Sequence, residues 1–379
     1  LRPPCPASQR LFRWRGVNTP PRSVLDINIL NFLADQAAQA SLRSATMESY
    51  GAGLRKFHLF CDIFSVPEGA RLPASFPLLH SFVLWATAEP DPSNPIFADG
   101  TPFEPVSVKS VLSYLAAVRA WHIVQGWPPP LTEEQHEQIA FSARGLANMQ
   151  GNRRTRPPRP PITLPMLTAL KATLNLNDPF EACIWAIATS AFWGLMRFGE
   201  VTVRSREEYS PSRHLSRANA FKDVDLAGKP YVRLDLPSAK TAKAGEIQHI
   251  YLTQQGHWCP IAALENLARV VPAGPSDPLF SWRDGQGNIR PMVRDTALKF
   301  INNILKAWGW GTAFGHSFRI GGASFLLAQK VDPEIIRLMG RWRSLAYQVY
   351  IRAFEQVASR HIANIAHRPL TTGAHQFLD

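Results

Sequence analysis

His316-Ser317-Phe318-Arg319-Ile320-Gly321-Gly322-Ala323-Ser324, followed by Met339-Gly340-Arg341-Trp342 and then Tyr347-Gln348-Val349-Tyr350-Ile351-Arg352, is the stretch on which the reading of this chain turns. His316 and Arg319 are three residues apart. On a helix beginning near Ser317 the two side chains therefore leave the same face and converge on one anion. Arginine stays charged at any working pH and presents a planar fork of donors matched to phosphate oxygens, whereas histidine exchanges a proton near neutrality. Trp342 adds an indole donor, and Tyr347 and Tyr350 add phenolic oxygens with nucleophilic capacity. Together these residue types read as a phosphate-handling site. A His-x-x-Arg alone equally describes polar residues solvating the first turn of a helix, so the rest of the chain has to decide between the two.

Working outward, the apolar run from Pro179 to Phe192 predicts a buried helix, and Gly194-Leu195-Met196-Arg197-Phe198-Gly199-Glu200 follows it. A guanidinium placed there is costly to bury without a partner. Glu200 supplies one, either holding Arg197 within the protein or orienting it toward a phosphate. Alternating and β-branched residues predict strands over 222–226, 231–236 and 248–252, punctuated by Lys229-Pro230 and Lys243-Ala244-Gly245. Lys240 and Lys243 lie on the tip between the last two strands. Further helices are predicted over 164–174, 261–271 and 294–308.

His316-x-x-Arg319, Gly340-Arg341-Trp342 and Tyr350-Ile351-Arg352, in that order, resemble the C-terminal signature of the tyrosine recombinase (phage integrase) family. The wording of the last two motifs is most similar to recombinases of eukaryotic mobile elements of the Crypton and DIRS types. The resemblance implies that Arg197 is the first catalytic arginine with Glu200 in support, and that Lys240, with Lys243 as alternative, is the catalytic lysine. It implies that His316, Arg319 and Trp342 complete the site and that Tyr350 is the nucleophile. Tyr350 lies eight residues after Trp342 and Tyr347 only five; Tyr347 reads as packing beside Leu345 and Val349. The implied chemistry is attack by tyrosine on DNA to leave a 3′-phosphotyrosine. No metal, ATP or other cofactor takes part.

Composition agrees with a nucleic-acid partner. Among 379 residues, 41 Lys and Arg face 29 Asp and Glu, a net charge of +12, which favours a polyanion. The length accommodates two or more domains. Cys5, Cys61, Cys183 and Cys259 form no Cys-x-x-Cys pair and read as reduced thiols of an intracellular protein. No signal peptide is visible and no apolar run approaches the ~20 residues that span a bilayer. The sequence opens on Leu1, as a trimmed or processed chain would. Metal-ligand spacings, paired acids of a two-metal nuclease and a Walker-type glycine loop are all missing from the sequence.

The N-terminal half predicts a helical bundle. Residues 1–22 are rich in Pro and Arg and poor in periodic apolar residues, the pattern of a basic arm on which Arg10, Arg13 and Arg15 lie along a DNA backbone. Five helices follow, carrying Ile27, Leu30, Phe32 and Leu33; Tyr50, Leu54, Phe57 and Cys61, with Thr46 as N-cap; Leu78, Leu79, Phe82, Val83 and Trp85; Val111, Leu112, Leu115, Val118 and His122; and residues 132–149. Gly151-Asn152-Arg153-Arg154-Thr155-Arg156-Pro157-Pro158-Arg159-Pro160-Pro161 reads as an extended, cationic linker. The same basic cluster also fits a nuclear localisation signal or a phosphate contact.

The expected organisation is a basic arm over 1–22, a helical core-binding domain over 23–150, a linker over 151–162, a mostly helical catalytic domain with a small antiparallel sheet over 163–352, and a C-terminal helix and tail over 353–379. Candidate DNA contacts are Arg55, Lys56, Lys109, Arg119, Arg153, Arg154, Arg156 and Arg159. The expected function is site-specific strand exchange by a mobile-element recombinase acting on double-stranded DNA, as a dimer on one site and a tetramer in synapsis. Phe354, Val357, Ala358, Ile362 and Ile365 recur at helical period after the nucleophile, a stripe that implies burial on the same or a neighbouring protomer. The expected location is nuclear in a eukaryote and cytoplasmic otherwise. A DNA-binding protein that has lost cleavage and a type IB topoisomerase are the alternatives.

Overall fold

The computed structural model describes residues 1–21, 24–25, 27–88, 104–154, 159–238 and 246–342. The chain separates into two units, Leu1–Pro157 and Pro158–Asp379.

In the first unit, α1 (Arg10–Arg13), α2 (Asn28–Ala40), α3 (Ser44–Ile63), α4 (Glu68–Arg71), α5 (Phe76–Thr87), α6 (Val108–Val124) and α7 (Glu133–Gln150) follow one another. Their ends obey local chemistry. Ser107 caps α6 by accepting from the Ser110 amide, and α6 stops just before Gly126, whose φ is 85°. Thr132 and Gln135 form a reciprocal capping box at the start of α7. The predicted cap at Thr46 is corrected: α3 starts two residues earlier, at Ser44, without a side-chain cap. Leu54, Phe57, Cys61, Leu79, Phe82, Val83, Val111, Leu115, Val118 and Trp121 fill one core, while Leu112, placed on the same face by periodicity, is exposed. Helix α2 forms where predicted, yet none of its residues is buried.

The reading of residues 1–22 as an unpacked arm does not hold for its first part. Leu11 and Trp14 are buried in this core, Trp121 Nε1 donates to the Trp14 carbonyl at 2.8 Å, and Gln125 Nε2 donates to the Leu11 carbonyl at 3.0 Å. A Cβ on Gly51 would stand 1.8 Å from the Ala7 carbonyl oxygen. Glycine there is what lets the N-terminal turn lie directly on α3. Arg10 accordingly donates to the Gly51 carbonyl at 2.9 Å.

The second unit is built around α9 (Pro179–Trp193), in which every residue from Ala182 to Trp193 is buried. Asp178 caps it by accepting from the Phe180 and Glu181 amides, with Pro179 at the first helical position. Around it are α8 (Leu164–Thr173), the antiparallel sheet β1 (Ala220–Val224), β2 (Pro230–Leu236) and β3 (Gln248–Thr253) in the order β1-β2-β3, α10 (Pro260–Val270), the short hairpin β4 (Ser281–Arg283) and β5 (Ile289–Pro291), α11 (Arg294–Ala307), α12 (Ser317–Ala328) and α13 (Pro333–Met339). The β4–β5 hairpin was not anticipated from the sequence. On β2 and β3, Val232, Leu234, Leu236, Ile250 and Leu252 point into the core, as period-two alternation requires.

Two glycines set the position of α12. A Cβ on Gly321 would lie 1.9 Å from the Ile162 carbonyl oxygen, and one on Gly322 would lie 2.0 Å from that of Phe192. Helix α12 is thus wedged between the segment entering the unit and the end of α9. The Ile162 amide donates to the Ser317 carbonyl at 2.9 Å.

Candidate active site

Helix α9 ends at Gly194, and the chain reverses through Leu195, a non-glycine residue at φ 46°. The turn delivers Arg197 to the start of a single 3₁₀ turn, Phe198–Glu200. Glu200 Oε2 accepts from the Arg197 amide at 2.8 Å, and Oε1 accepts from Arg197 Nη1 at 2.9 Å. The same carboxylate takes a second guanidinium: Arg341 Nη2 donates to Oε2 at 2.6 Å. Glu200 therefore bridges two arginines that arrive from opposite ends of the unit's sequence, and all of its side chain but 8% is buried.

Arg319, three residues after His316 on the first turn of α12, is 2% exposed. Its Nη2 donates to the Gly340 carbonyl, and its guanidinium lies over the Trp342 ring at 4.3 Å from the centroid. A Cβ on Gly340 would strike that ring at 1.7 Å, so the Gly340-Arg341-Trp342 turn depends on glycine at its first position. Trp342 packs with Leu195, Ala323 and Ile336. These contacts add a packing role to the indole donor read from the sequence. Arg341 follows the turn with φ 56°, a left-handed conformation that a non-glycine side chain adopts at a cost of about 1–3 kcal/mol.

His316 stands immediately before α12. Arg159 Nη1 donates to its Nδ1 at 3.0 Å. Burial first, and then the positive charges of Arg159, Arg319, Arg294 and Arg197, push its pKa down to about 4. A neutral imidazole is the resting form at neutral pH. Burial also lowers the pKa of Arg341, which Glu200 opposes and Arg197 reinforces. Its Nε and Nη1 are buried and have no hydrogen-bond partner among the described residues. Five arginines, 159, 197, 294, 319 and 341, thus act on one locality in which Glu200 is the anion that pairs two of them. Such an arrangement has surplus charge and surplus donors, the properties of an anion receptor.

The structure brings Arg197, Glu200, His316, Arg319 and Trp342 together. Lys240, Lys243, Tyr347, Tyr350, Arg156 and the 353–379 stripe lie outside the described residues. Two participants were missed. Arg341 was quoted within its motif without a role, although its place beside Gly340 was a usable signal. Arg294, whose guanidinium lies 3.1 Å from where a Cβ of Gly315 would be, carries no sequence signal beyond its type. Of the candidate DNA contacts in the first unit, Arg55, Lys109 and Arg119 are exposed. Lys56 is instead engaged: its Nζ donates to the Glu104 carbonyl at 2.7 Å and lies 5.1 Å from the Trp85 ring centroid. Among the described residues no group of three or more His, Cys, Asp or Glu is placed to hold a metal, and no helix is long and apolar enough to cross a membrane.

No family model and no curated protein matches the sequence. Solved structures do. The chain is similar to the XerH site-specific recombinase bound to palindromic difH substrate in a post-cleavage complex, with a TM-score of 0.53 at 12% identity over 90% of this chain and 84% of that one. The Tn1549 transposon integrase in complex with transposon right end DNA aligns at 0.47 and 10% identity over 88% and 99%. The integrase from mycobacterium phage Brujita aligns at 0.30 and 16% identity over 89% and 92%. The last two scores are too low to bear on the fold. With its mostly helical units, its small antiparallel sheet and its similarity to the XerH structure, this chain has the tyrosine recombinase fold.

Proposed function

We propose that this protein is a site-specific DNA recombinase of a mobile element, of the Crypton or DIRS type, that cuts and rejoins DNA through a 3′-phosphotyrosine. The observation that carries the proposal is the convergence of Arg197, Arg319 and Arg341 around Glu200 and His316. In the reaction Tyr350 Oη attacks phosphorus and releases its proton to water as the bond from phosphorus to the 5′ oxygen breaks. Lys240 delivers a proton to that departing oxygen. Arg197 and Arg319 neutralise charge growing on the non-bridging oxygens, and preorganised charges of this kind are often the largest catalytic contribution. The ester conserves the bond energy, so a different 5′ hydroxyl reverses the step on another strand. That the XerH structure is a post-cleavage DNA complex is consistent with this reading. Strand exchange would proceed in a tetramer, the segment after Tyr350 docking on a neighbouring protomer.

The test is covalent trapping on a nicked duplex that carries a candidate element end. Wild-type protein is expected to form an adduct that chelators leave untouched, and Tyr350→Phe, which keeps ring volume and removes the ester-forming oxygen, should bind DNA without forming it. An adduct that persists in Tyr350→Phe and vanishes in Tyr347→Phe would overturn the assignment of the nucleophile. DNA binding by wild-type protein with no adduct on any nicked end would favour the cleavage-silent alternative.

A further inference from the structure

The segment that opens the second unit is fixed on α12 by main-chain contacts. Ile162 is 2% exposed, its amide is bonded to the Ser317 carbonyl at 2.9 Å, and its carbonyl fills the space that a side chain at Gly321 would need. Pro160 and Pro161 restrict the backbone between this anchor and Arg159. Arg159 is consequently held over His316, with its guanidinium 5.8 Å from the Phe314 ring centroid and its Nη1 3.0 Å from His316 Nδ1. A guanidinium has donors and no acceptor, so Nδ1 must accept and cannot carry the proton. In the neutral ring the proton then sits on Nε2.

We propose that Arg159 is a positioning residue that fixes the Nε2–H tautomer of His316, so that His316 enters the reaction as a hydrogen-bond donor and not as a proton acceptor at Nδ1. The inference rests on the proposed recombinase chemistry for its purpose, but not for its geometry. The other charges facing His316 all have the same sign: Arg319 from α12, Arg294 from α11 and Arg197 from the turn after α9. Each opposes protonation of the ring. Arg159 reaches the ring itself, its Nη1 at 3.0 Å from Nδ1, and this contact selects the tautomer. The linker, read from sequence as a spacer with phosphate-contacting arginines, thereby gives one of them to the catalytic locality.

Long-range proton–nitrogen NMR on the full chain with labelled histidine tests this without reference to activity, the His316 signals being assigned through His316→Gln. The expected wild-type result is the Nε2–H pattern with a titration midpoint near 4. Arg159→Met, a change at an exposed residue, should raise that midpoint by about one pH unit or more, since a neighbouring charge is removed, while the signals of other histidines stay in place. Arg159→Lys, a cation that likewise has donors and no acceptor, should restore most of the midpoint. In trapping assays Arg159→Met should gain an acid limb between pH 4 and 6.5 that wild-type protein lacks over the same range. An Nδ1–H pattern in wild-type protein, or a midpoint that Arg159→Met does not move, would refute the proposal. If the NMR results hold and wild-type protein forms no adduct, the reading of function fails and the positioning role stands.

Discussion

Among the described residues two histidines accept a hydrogen bond at Nδ1 from an arginine, one in each unit. Arg2 Nη1 lies 2.7 Å from His58 Nδ1, and Arg159 Nη1 lies 3.0 Å from His316 Nδ1. Around His58 the charges balance. Arg2 reaches Glu68 at 2.9 Å and Asp62 at 3.4 Å, and the buried Arg71 pairs with Asp62 at 2.6 Å and donates from Nε to the Val66 carbonyl. Around His316 four arginines face the ring, and the carboxylate nearby, Glu200, is already shared between Arg197 and Arg341. A similar arginine contact therefore sits in two different surroundings, His58 buried and His316 half-buried. Around His58 positive charge is matched by carboxylates and holds the fold together; around His316 arginines outnumber the one carboxylate that pairs with them among the described residues.

The comparison breaks most easily at the arginines. Arg197→Ala and Arg319→Ala should each lower covalent cleavage by about 100- to 1000-fold, the effect of losing one preorganised donor to a developing oxyanion, beyond what the stability lost with their buried partners, Glu200 and the Gly340 carbonyl, accounts for. Arg71→Ala should show the converse, a stability loss of about 1–3 kcal/mol from the unpaired partners it leaves and cleavage that falls only as folding does. Scanning calorimetry beside the trapping assay reads both. If Arg71→Ala abolished cleavage in protein that remained folded, the division between matched and surplus charge would be wrong.

Acid is the next discriminant. Burial is the largest cause holding His58 at about 3 and His122 at about 4. His122 uses both ring nitrogens, accepting from the Ala74 amide at 2.8 Å and donating to the Val118 carbonyl at 2.8 Å. The unfolded chain binds a proton at each near 6.5, and the native chain does so only near 3 or 4. Unfolding is therefore favoured progressively as pH falls from about 6.5 through 4 toward 3, and stability is fully retained above 6.5. Denaturant midpoints followed across that window should decline. His122→Gln, which keeps an acceptor and a donor, should flatten the decline; the same slope in wild-type protein and His122→Gln would remove His122 from the account.

The sequence yielded most where chemistry is local. Periodicity found α3, α5 and α6, an unbroken apolar run found α9, and the short motifs Arg197-x-x-Glu200, His316-x-x-Arg319 and Gly340-Arg341-Trp342 picked out residues that the fold gathers, because each of these patterns is written within a few tens of residues. It yielded least where the cause is long-range. Leu11 and Trp14 look like part of a polar arm until Gly51, forty residues away, is seen to leave room for the backbone at Ala7. The three-residue strands β4 and β5 are too short for alternation to register, although Asp284-Gly285-Gln286-Gly287-Asn288 between them is turn chemistry. Helix α2 shows the opposite failure: its apolar spacing gave the helix correctly, yet Phe32 and Leu33 are 57% and 53% exposed, because a stripe states a capacity for burial and names no partner. Arg341 went unassigned since a guanidinium beside a glycine turn acquires meaning only when Glu200, 141 residues earlier, arrives next to it.

The smallest expected effect concerns the linker, where four arginines looked equivalent in sequence. If all four met phosphate, replacing them would reduce the slope of log affinity against log salt by about 0.9 each on duplex DNA. The structure separates them. Arg153 folds back on the end of α7, its Nη2 donating to the Met149 carbonyl and its Nε to that of Gln150 at 3.4 Å, where its charge also complements the C-terminal end of the helix dipole. Arg159 is engaged with His316. Arg153→Gln should accordingly leave the salt slope unchanged within error and trim stability by a few tenths of a kcal/mol, about what a cation at an exposed helix end contributes. A slope lowered by about 0.9 in this single variant would mean that Arg153 leaves its helix for a phosphate when DNA binds.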